Sequence, residues 1–306
     1  MRAVFVDPSP ALGNVARRLH GHDGTGFTLA FGHAEITPDE LPGALAGSPI
    51  ALVDHTALPL EVARRCAGLR HVVFLGTGAR SYMDPEALAE LGIAVHTIKG
   101  YGDTAVAECA IGLLWAAAKG YARMDREMRA GRWTRTEGLQ LTGKTLGLVG
   151  FGGIAAETAR LALGIGMQVL AWNRTPRSHA GVRFVELDEL LEHSDAVSLH
   201  LLLCDETRGL LSRARLARMK RGAILVNTAR GALVDEAALV DALRSGQLAH
   251  AGLDVFEIEP LPAGHVLTTQ PNVTLSAHSA FRTPEANENL IGAAFEHCRR
   301  IAAQTA

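Results

Sequence analysis

Short apolar runs alternate with helical patterns from one end of the chain to the other. They are "AVFV" from position 3, "IALV" from 50, "HVVFL" from 71, "IAVH" from 93, "TLGLV" from 145 and "QVLAW" from 168. "DAVSL" from 195, "AILVN" from 223, "AGLDV" from 251 and "NVTLS" from 272 complete the series. These runs lack the in/out alternation of a strand with one wet face. Separated by helices, they point to parallel strands covered on both faces, so the expected fold is α/β with doubly wound parallel sheets. The strands fall into two groups, with a long helical stretch from about Asp103 to Ala130 between them. Asp103 or Thr104 can cap its start, and Gly131 follows its end. A last helical segment, Thr283 to Ala302, is followed by no strand and is expected to pack back on the N-terminal group. The first domain is then discontinuous, 1–98 plus 282–306, with 99–281 as the second and a cleft between them.

Composition narrows the partners. The 306 residues are 48% hydrophobic and 20% charged, a globular balance, and the formal charge of −2 favours neither nucleic acid nor an anionic membrane. The expected partner is a small molecule. Cys66, Cys109, Cys204 and Cys298 are scattered, with no C-x-x-C pair, so neither a metal site nor a disulfide framework is expected. The N-terminus lacks the apolar region of a signal peptide, and "AIGLLWAAA" (110–118) is too short to cross a bilayer. A cytoplasmic protein is the expectation.

"TLGLVGFGGIAAETARLAL" reads as strand, tight turn and helix, with Gly150-Phe151-Gly152-Gly153-Ile154-Ala155 matching G-x-G-x-x-A. Gly150 permits the turn, Gly152 lets a pyrophosphate approach the backbone, and Ala155 keeps the helix close to the sheet. Dinucleotide binding is the expected use. An NAD-binding version would end the next strand in Asp or Glu, about 20 residues on. Here that strand runs into Asn173, Arg174 and Thr175, a cation between hydrogen-bonding side chains. NADP(H) is therefore favoured, with NAD(H) the alternative.

Three polar features follow later strands: Arg230 after "AILVN", Glu259 in "GLDVFEIEP" and His278 in "LSAHSAFRTPEA". Each alone has a bland explanation, as a surface arginine, a surface acid or a structural histidine. Behind a dinucleotide fold, at the strand ends where ligands gather, they form a working set. Arg230 offers a planar fork to a carboxylate, His278 can exchange a proton near neutrality, and Glu259 can orient the imidazole.

The chain resembles the D-isomer-specific 2-hydroxyacid dehydrogenases through "GTGARSYMD", "TAVAE", "LGLVGFGGIA", "VNTARGALVDEAAL", "GLDVFEIEP" and "SAHSAFRTPEA". The resemblance implies a Rossmann-type cofactor domain and a flavodoxin-like substrate domain, and a homodimer using the helix after Asp103. It implies catalysis by Arg230, Glu259 and His278. Cofactor contacts are implied for Val106, the turn Gly150 to Ile154, and Asn173, Arg174 and Thr175. They are also implied for His200, Leu201, Thr207, Thr228, Ala229, Arg230, Asp254 and His278. Leu75 and the loop Gly76-Thr77-Gly78 would hold the substrate carboxylate through backbone N–H groups, with Arg230 and His278 as further substrate ligands. The implied reaction is reduction of a small 2-keto acid such as glyoxylate or hydroxypyruvate, with His278 protonating the alkoxide.

The chain departs from the family pattern at Leu202, where proline is usual, and in "IKGYGDTAVAE", which leaves Lys99 and Tyr101 as substrate-side candidates. Two alternatives stand beside this reading. One is an enzyme of the D-3-phosphoglycerate dehydrogenase kind, for which Arg80 and Lys99 would supply the extra cations. The other is a non-catalytic NAD(P)-sensing protein of the same fold.

Overall fold

The computed structural model describes residues 1–22 and 26–305. The chain forms two compact units, 1–102 with 282–306, and 103–281. The expected boundary at 98/99 falls four residues early, because residues 98–102 are bonded into the first unit. Ile98 N–H donates to Gly76 O (3.0 Å), and Asn289 Nδ2 donates to Tyr101 O (3.3 Å).

Unit 1 runs β1 (Arg2–Phe5), α1 (Pro10–His22), β2 (Thr28–Phe31), α2 (Leu41–Ala44), β3 (Ile50–Val53), α3 (Leu60–Ala63), β4 (His71–Phe74), α4 (Pro85–Glu90) and β5 (Ala94–Thr97). All five strands are parallel in the order β2-β1-β3-β4-β5, the flavodoxin-like winding. Successive residues feed opposite cores: Ala3 and Phe5 pack on one face, Val4 and Val6 on the other. The C-terminal helix, numbered α12 below (Pro284–Thr305), covers the first of these faces with Leu290, Ile291, Ala294 and Phe295. This apolar stripe is why the chain's end returns to the unit where it began.

Unit 2 contains α5 (Asp103–Lys119), α6 (Tyr121–Arg129), β6 (Thr145–Val149), α7 (Gly153–Gly164), β7 (Gln168–Trp172), β8 (Val182–Phe184) and α8 (Leu187–His193). It continues with β9 (Ala196–Leu199), α9 (Arg213–Arg218), β10 (Ala223–Asn227), α10 (Glu236–Arg244), β11 (Leu248–Leu253), α11 (Val266–Thr269) and β12 (Val273–Leu275). Its seven parallel strands follow β12-β11-β10-β9-β6-β7-β8, the Rossmann order extended by one strand. The winding reverses between β6 and β9, and ligands of open α/β sheets collect beyond the carboxyl ends of the strands at such a point.

Two strands escape the hydrophobic pattern. β2, at a sheet edge, is only four residues long and half-exposed, and the three-residue β8 has no fully buried position and carries Arg183 at its centre. The single helix expected from 103 to 130 is two helices. Gly120 breaks it, with φ 67° in the left-handed region that ends helices.

Three histidines stack on unit 1. His71 Nδ1 lies 3.2 Å from His96 Nε2, and the His96 ring lies 5.5 Å from those of both His71 and His297. Burial lowers the pKa of all three; neighbouring charges reinforce this at His96 (His297, His71, Arg300) and at His297 (Arg300, against Glu296). A histidine whose folded pKa lies below its unfolded value contributes full stability above about pH 6.5, and loses it as pH falls through the lowered value. Thermal melts between pH 7.5 and 5 should show this loss, and His96→Asn should flatten it. An unchanged acid slope in that variant would refute the assignment.

Candidate active site in unit 2

The glycine turn begins where β6 ends. Gly150 has φ 90°, and a Cβ there would lie 2.7 Å from both the His200 carbonyl oxygen and Leu201 Cδ2. Gly152 differs, since a Cβ on it would meet open space. A Cβ on Gly153 would collide with the Asp103 carboxylate, and Ala155 is buried against the sheet. The turn is thus closed by protein at Gly150 and Gly153 and open at Gly152, where a phosphate could approach. Phe151 is buried edge-on against Phe184, with centroids 5.0 Å apart, and Ile154 follows within α7.

Asn173 ties this turn to the end of β7. Its Oδ1 accepts from Phe151 N (3.0 Å) and its Nδ2 donates to Thr175 O (2.8 Å), so the amide is committed within the protein. Arg174 and Thr175 are exposed beside it. Thr207 is likewise committed: its hydroxyl donates to Leu202 O (2.8 Å) and accepts from Cys204 N (2.8 Å), closing the loop after β9.

Other polar atoms at these strand ends lack protein partners. Among the described residues, His200 Nε2 and Thr228 Oγ1 are buried and unpaired. They follow Leu199 and Asn227, which pair across β9 and β10. Burial drives the His200 pKa down to about 4, so the ring is a neutral donor or acceptor. Two orphaned polar atoms at the carboxyl ends of β9 and β10, in the same parallel sheet as the strand that leads into the open glycine, fit a polar dinucleotide. Val106, half-buried on α5, and Leu201 and Ala229, packed against the core, complete the residues expected near it.

Arg230 leaves β10 through a locked turn. Asn227, buried, accepts from Ala229 N (3.0 Å) through Oδ1 and donates from Nδ2 to Arg230 O (2.9 Å), while Arg230 Nη1 donates to Ala229 O (2.6 Å). At Gly231 a Cβ would overlap the Phe256 backbone, so only glycine lets that segment cross over the Arg230 turn. Asp235 then caps α10, accepting from Ala238 N (2.9 Å).

The crossing segment carries Glu259, whose Oε1 accepts from Phe256 N (2.8 Å) and whose Oε2 lies 2.6 Å from His278 Nδ1. Asp254 anchors the histidine's loop. Its buried carboxylate accepts from Ser276 Oγ (2.6 Å), Ser279 N (3.1 Å) and Ala280 N (3.0 Å), and its carbonyl accepts from His278 N (2.7 Å). Burial raises the Glu259 pKa, but the His278 hydrogen bond, the Phe256 N–H and the charges of His278 and Arg230 outweigh it and leave the acid below its usual range. An ionised Glu259 favours a proton on His278 Nδ1 as the hydrogen-bond donor. His278 Nε2 has no partner among the described residues.

In unit 1, Gly76 N–H donates to Phe74 O (2.9 Å) and is therefore spent, leaving Thr77 and Gly78 as the backbone donors of the expected anion loop. Leu75 is buried in the sheet core beneath it. The Tyr101 hydroxyl lies 3.8 Å from where a Cβ on Gly76 would be, and Lys99 is exposed. Arg80 is paired with both carboxylate oxygens of Glu86. Sequence reasoning missed the roles of Asn227, Ser276 and Asp103. For Asn227 the signal was present: an amide buried at a strand end needs partners, and a turn supplies them.

Residues 111–280 match the model of the D-isomer specific 2-hydroxyacid dehydrogenase, NAD binding domain. The chain belongs to the D-isomer-specific 2-hydroxyacid dehydrogenase family. It is an NAD(P)-dependent oxidoreductase. Over 283 residues it is 32% identical to a hydroxypyruvate reductase of Blautia hydrogenotrophica, covering 89% of this chain and 88% of that one. Among solved structures, the TT0316 protein of Thermus thermophilus superposes with a TM-score of 0.85 at 38% identity, covering 97% and 95% of the two chains. An acyclic imino acid reductase (Bsp5) in complex with NADPH and D-Arg superposes with a TM-score of 0.87 at 27% identity, covering 99% and 98%.

For this dehydrogenase, Gly152→Ala should cost no more than about 1 kcal/mol of stability, since the added methyl meets open space and only the N-cap preference of α7 for glycine over alanine is lost. Its NAD(P)H affinity should fall about tenfold or more, since the new methyl group occupies the only open side of the turn. Titration of cofactor fluorescence reads the second effect, and undiminished affinity would contradict a phosphate at Gly152.

Proposed function

We propose that this dehydrogenase reduces a small, unphosphorylated 2-keto acid such as glyoxylate or hydroxypyruvate, with NADPH preferred. The observation that carries the reading is the 2.6 Å His278–Glu259 pair, with the charge of Arg230 acting on the same carboxylate. Arg230 presents two parallel donors, which suit a carboxylate or a polarised carbonyl. Thr77 and Gly78 of unit 1 have backbone N–H groups without a backbone acceptor among the described residues, as an anion-binding loop needs. The cofactor, when bound, supplies hydride to C2. His278 Nε2 gives its proton to the developing alkoxide, while Glu259 stabilises the imidazolium that must exist beforehand. In the reverse direction the neutral ring accepts the proton.

Several features support the finer choices. Arg80 is occupied by Glu86, which leaves less cationic capacity for a substrate phosphate than a phosphoglycerate dehydrogenase role needs. No carboxylate stands at the end of β7 to hold a ribose 2′-hydroxyl, and the exposed Arg174 suits a 2′-phosphate. Trp115, Tyr121, Met128 and Trp133 are exposed on α5, on α6 and just beyond, which fits a second copy of the chain covering them. All four cysteines are unpaired, in keeping with a reducing, cytoplasmic setting.

Assays at 340 nm with a panel of 2-keto acids test the reading, and tight cofactor binding without any turnover would favour the sensing alternative. His278→Gln should cut kcat about 10²- to 10⁴-fold with cofactor affinity retained. Arg174→Ala should lower kcat/KM for NADPH while sparing NADH; a parent enzyme that prefers NADH would sink the NADP assignment. Sedimentation should find a dimer that Trp133→Glu weakens, and a monomeric parent would rule that dimer out.

A further inference from the structure

We propose that the Asp103 carboxyl is linked to dinucleotide binding, so that the cofactor binds most tightly when this group is protonated and takes up a proton as it binds. The proposal rests on the reading that the turn 150–155 holds the cofactor's pyrophosphate. Asp103 is the first residue of unit 2 and of α5, the helix that packs along α7. Its Oδ2 fills the space a Cβ on Gly153 would need, and its Oδ1 lies 3.4 Å from that point. Gly153 opens α7, so the carboxyl stands beside the first unpaired N–H groups of a twelve-residue helix.

Two anions then draw on one positive helix end. Asp103 is half-buried and has no hydrogen-bond or ion-pair partner among the described residues. Burial raises its pKa, and the charge of Glu157, one turn into α7, raises it further. Glu157 is itself paired with Arg160 (2.9 Å), so the cation behind it is already engaged. On α5 the next ionisable carboxylate, Glu108, is exposed. No cation among these groups offsets the charge of an ionised Asp103 when a pyrophosphate arrives.

The sign follows from linkage. Bound phosphates disfavour the ionised carboxylate, so the pKa of Asp103 is higher in the complex than in the free protein. Below the free value the side chain is neutral in both states and affinity is undiminished. As pH rises from the free value to that of the complex, affinity falls, by at most about tenfold per pH unit, and levels off above it. Gly153 serves this arrangement too, because any side chain there would push the carboxyl away from the turn.

The test is calorimetric titration of the full chain with NADH and with NADPH from pH 5 to 8, in buffers of differing ionisation enthalpy. The parent should bind more weakly as pH rises and take up a fraction of a proton. Asp103→Asn should lose that uptake, bind several-fold more tightly than the parent at pH 8 and show a narrowing advantage as pH falls. Asp103→Ser, which keeps a capping oxygen without the charge, should follow the Asn variant, and melting curves check that both fold. Variants that retain the parent's pH slope and proton uptake would overturn the proposal while leaving the cofactor site intact. A parent that binds neither dinucleotide at any pH would instead overturn the site reading, and the proposal with it.

Discussion

The buried carboxylate of Asp254 is the constraint on which the active end of unit 2 depends. A carboxyl group with no solvent access is tolerable only when its oxygens are satisfied. Ser276 Oγ and the N–H groups of Ser279 and Ala280 satisfy them, and the same residue's carbonyl receives the His278 N–H. One side chain at the end of β11 thus folds the loop that follows β12. The cofactor contact expected of Asp254 sits beside this finding: its carboxylate already accepts three hydrogen bonds from its own chain.

That clamp accounts for an otherwise costly backbone. His278 has φ 45°, in the left-handed region that few residues other than glycine occupy, although histidine enters it more often than most. Such a conformation costs about 1–3 kcal/mol and persists where surrounding bonds over-determine it. Here the Asp254 bonds on one side and the Glu259 pair on the other do so. Glu259 is placed in turn by the crossing of Phe256 over Gly231, which also fixes the turn at Arg230. The arginine, glutamate and histidine are therefore coupled through backbone contacts as well as through charge.

Much of this was legible in the sequence because it follows from patterns with local causes. Ten of the strands announce themselves as continuous apolar runs, and the return of α12 follows from its apolar stripe and the absence of a later strand. β2 and β8 were not read from the pattern: β8 is three residues with Arg183 at its centre, and β2 is four half-exposed residues in a glycine-rich stretch. The break at Gly120 was not legible either, because a glycine inside a helical pattern is as compatible with continuation as with an αL stop. At the site, the residue types were readable and their commitments were not. Whether Asn173 and Thr207 face a ligand or their own chain depends on loop geometry that no spacing rule contains.

Those commitments sort the expected ligand residues physically. A polar group already bonded to its own chain must break that bond to bind a ligand, so it contributes little net affinity. Asn173, Thr207 and the Gly76 N–H belong to this class and act by shaping the loops that others use. His200 Nε2 and Thr228 Oγ1 belong to the opposite class, since a buried unpaired polar atom costs stability until something binds it. A fold that keeps such atoms at the carboxyl ends of β9 and β10 has put that cost where the ligands of an open α/β sheet gather and can offset it.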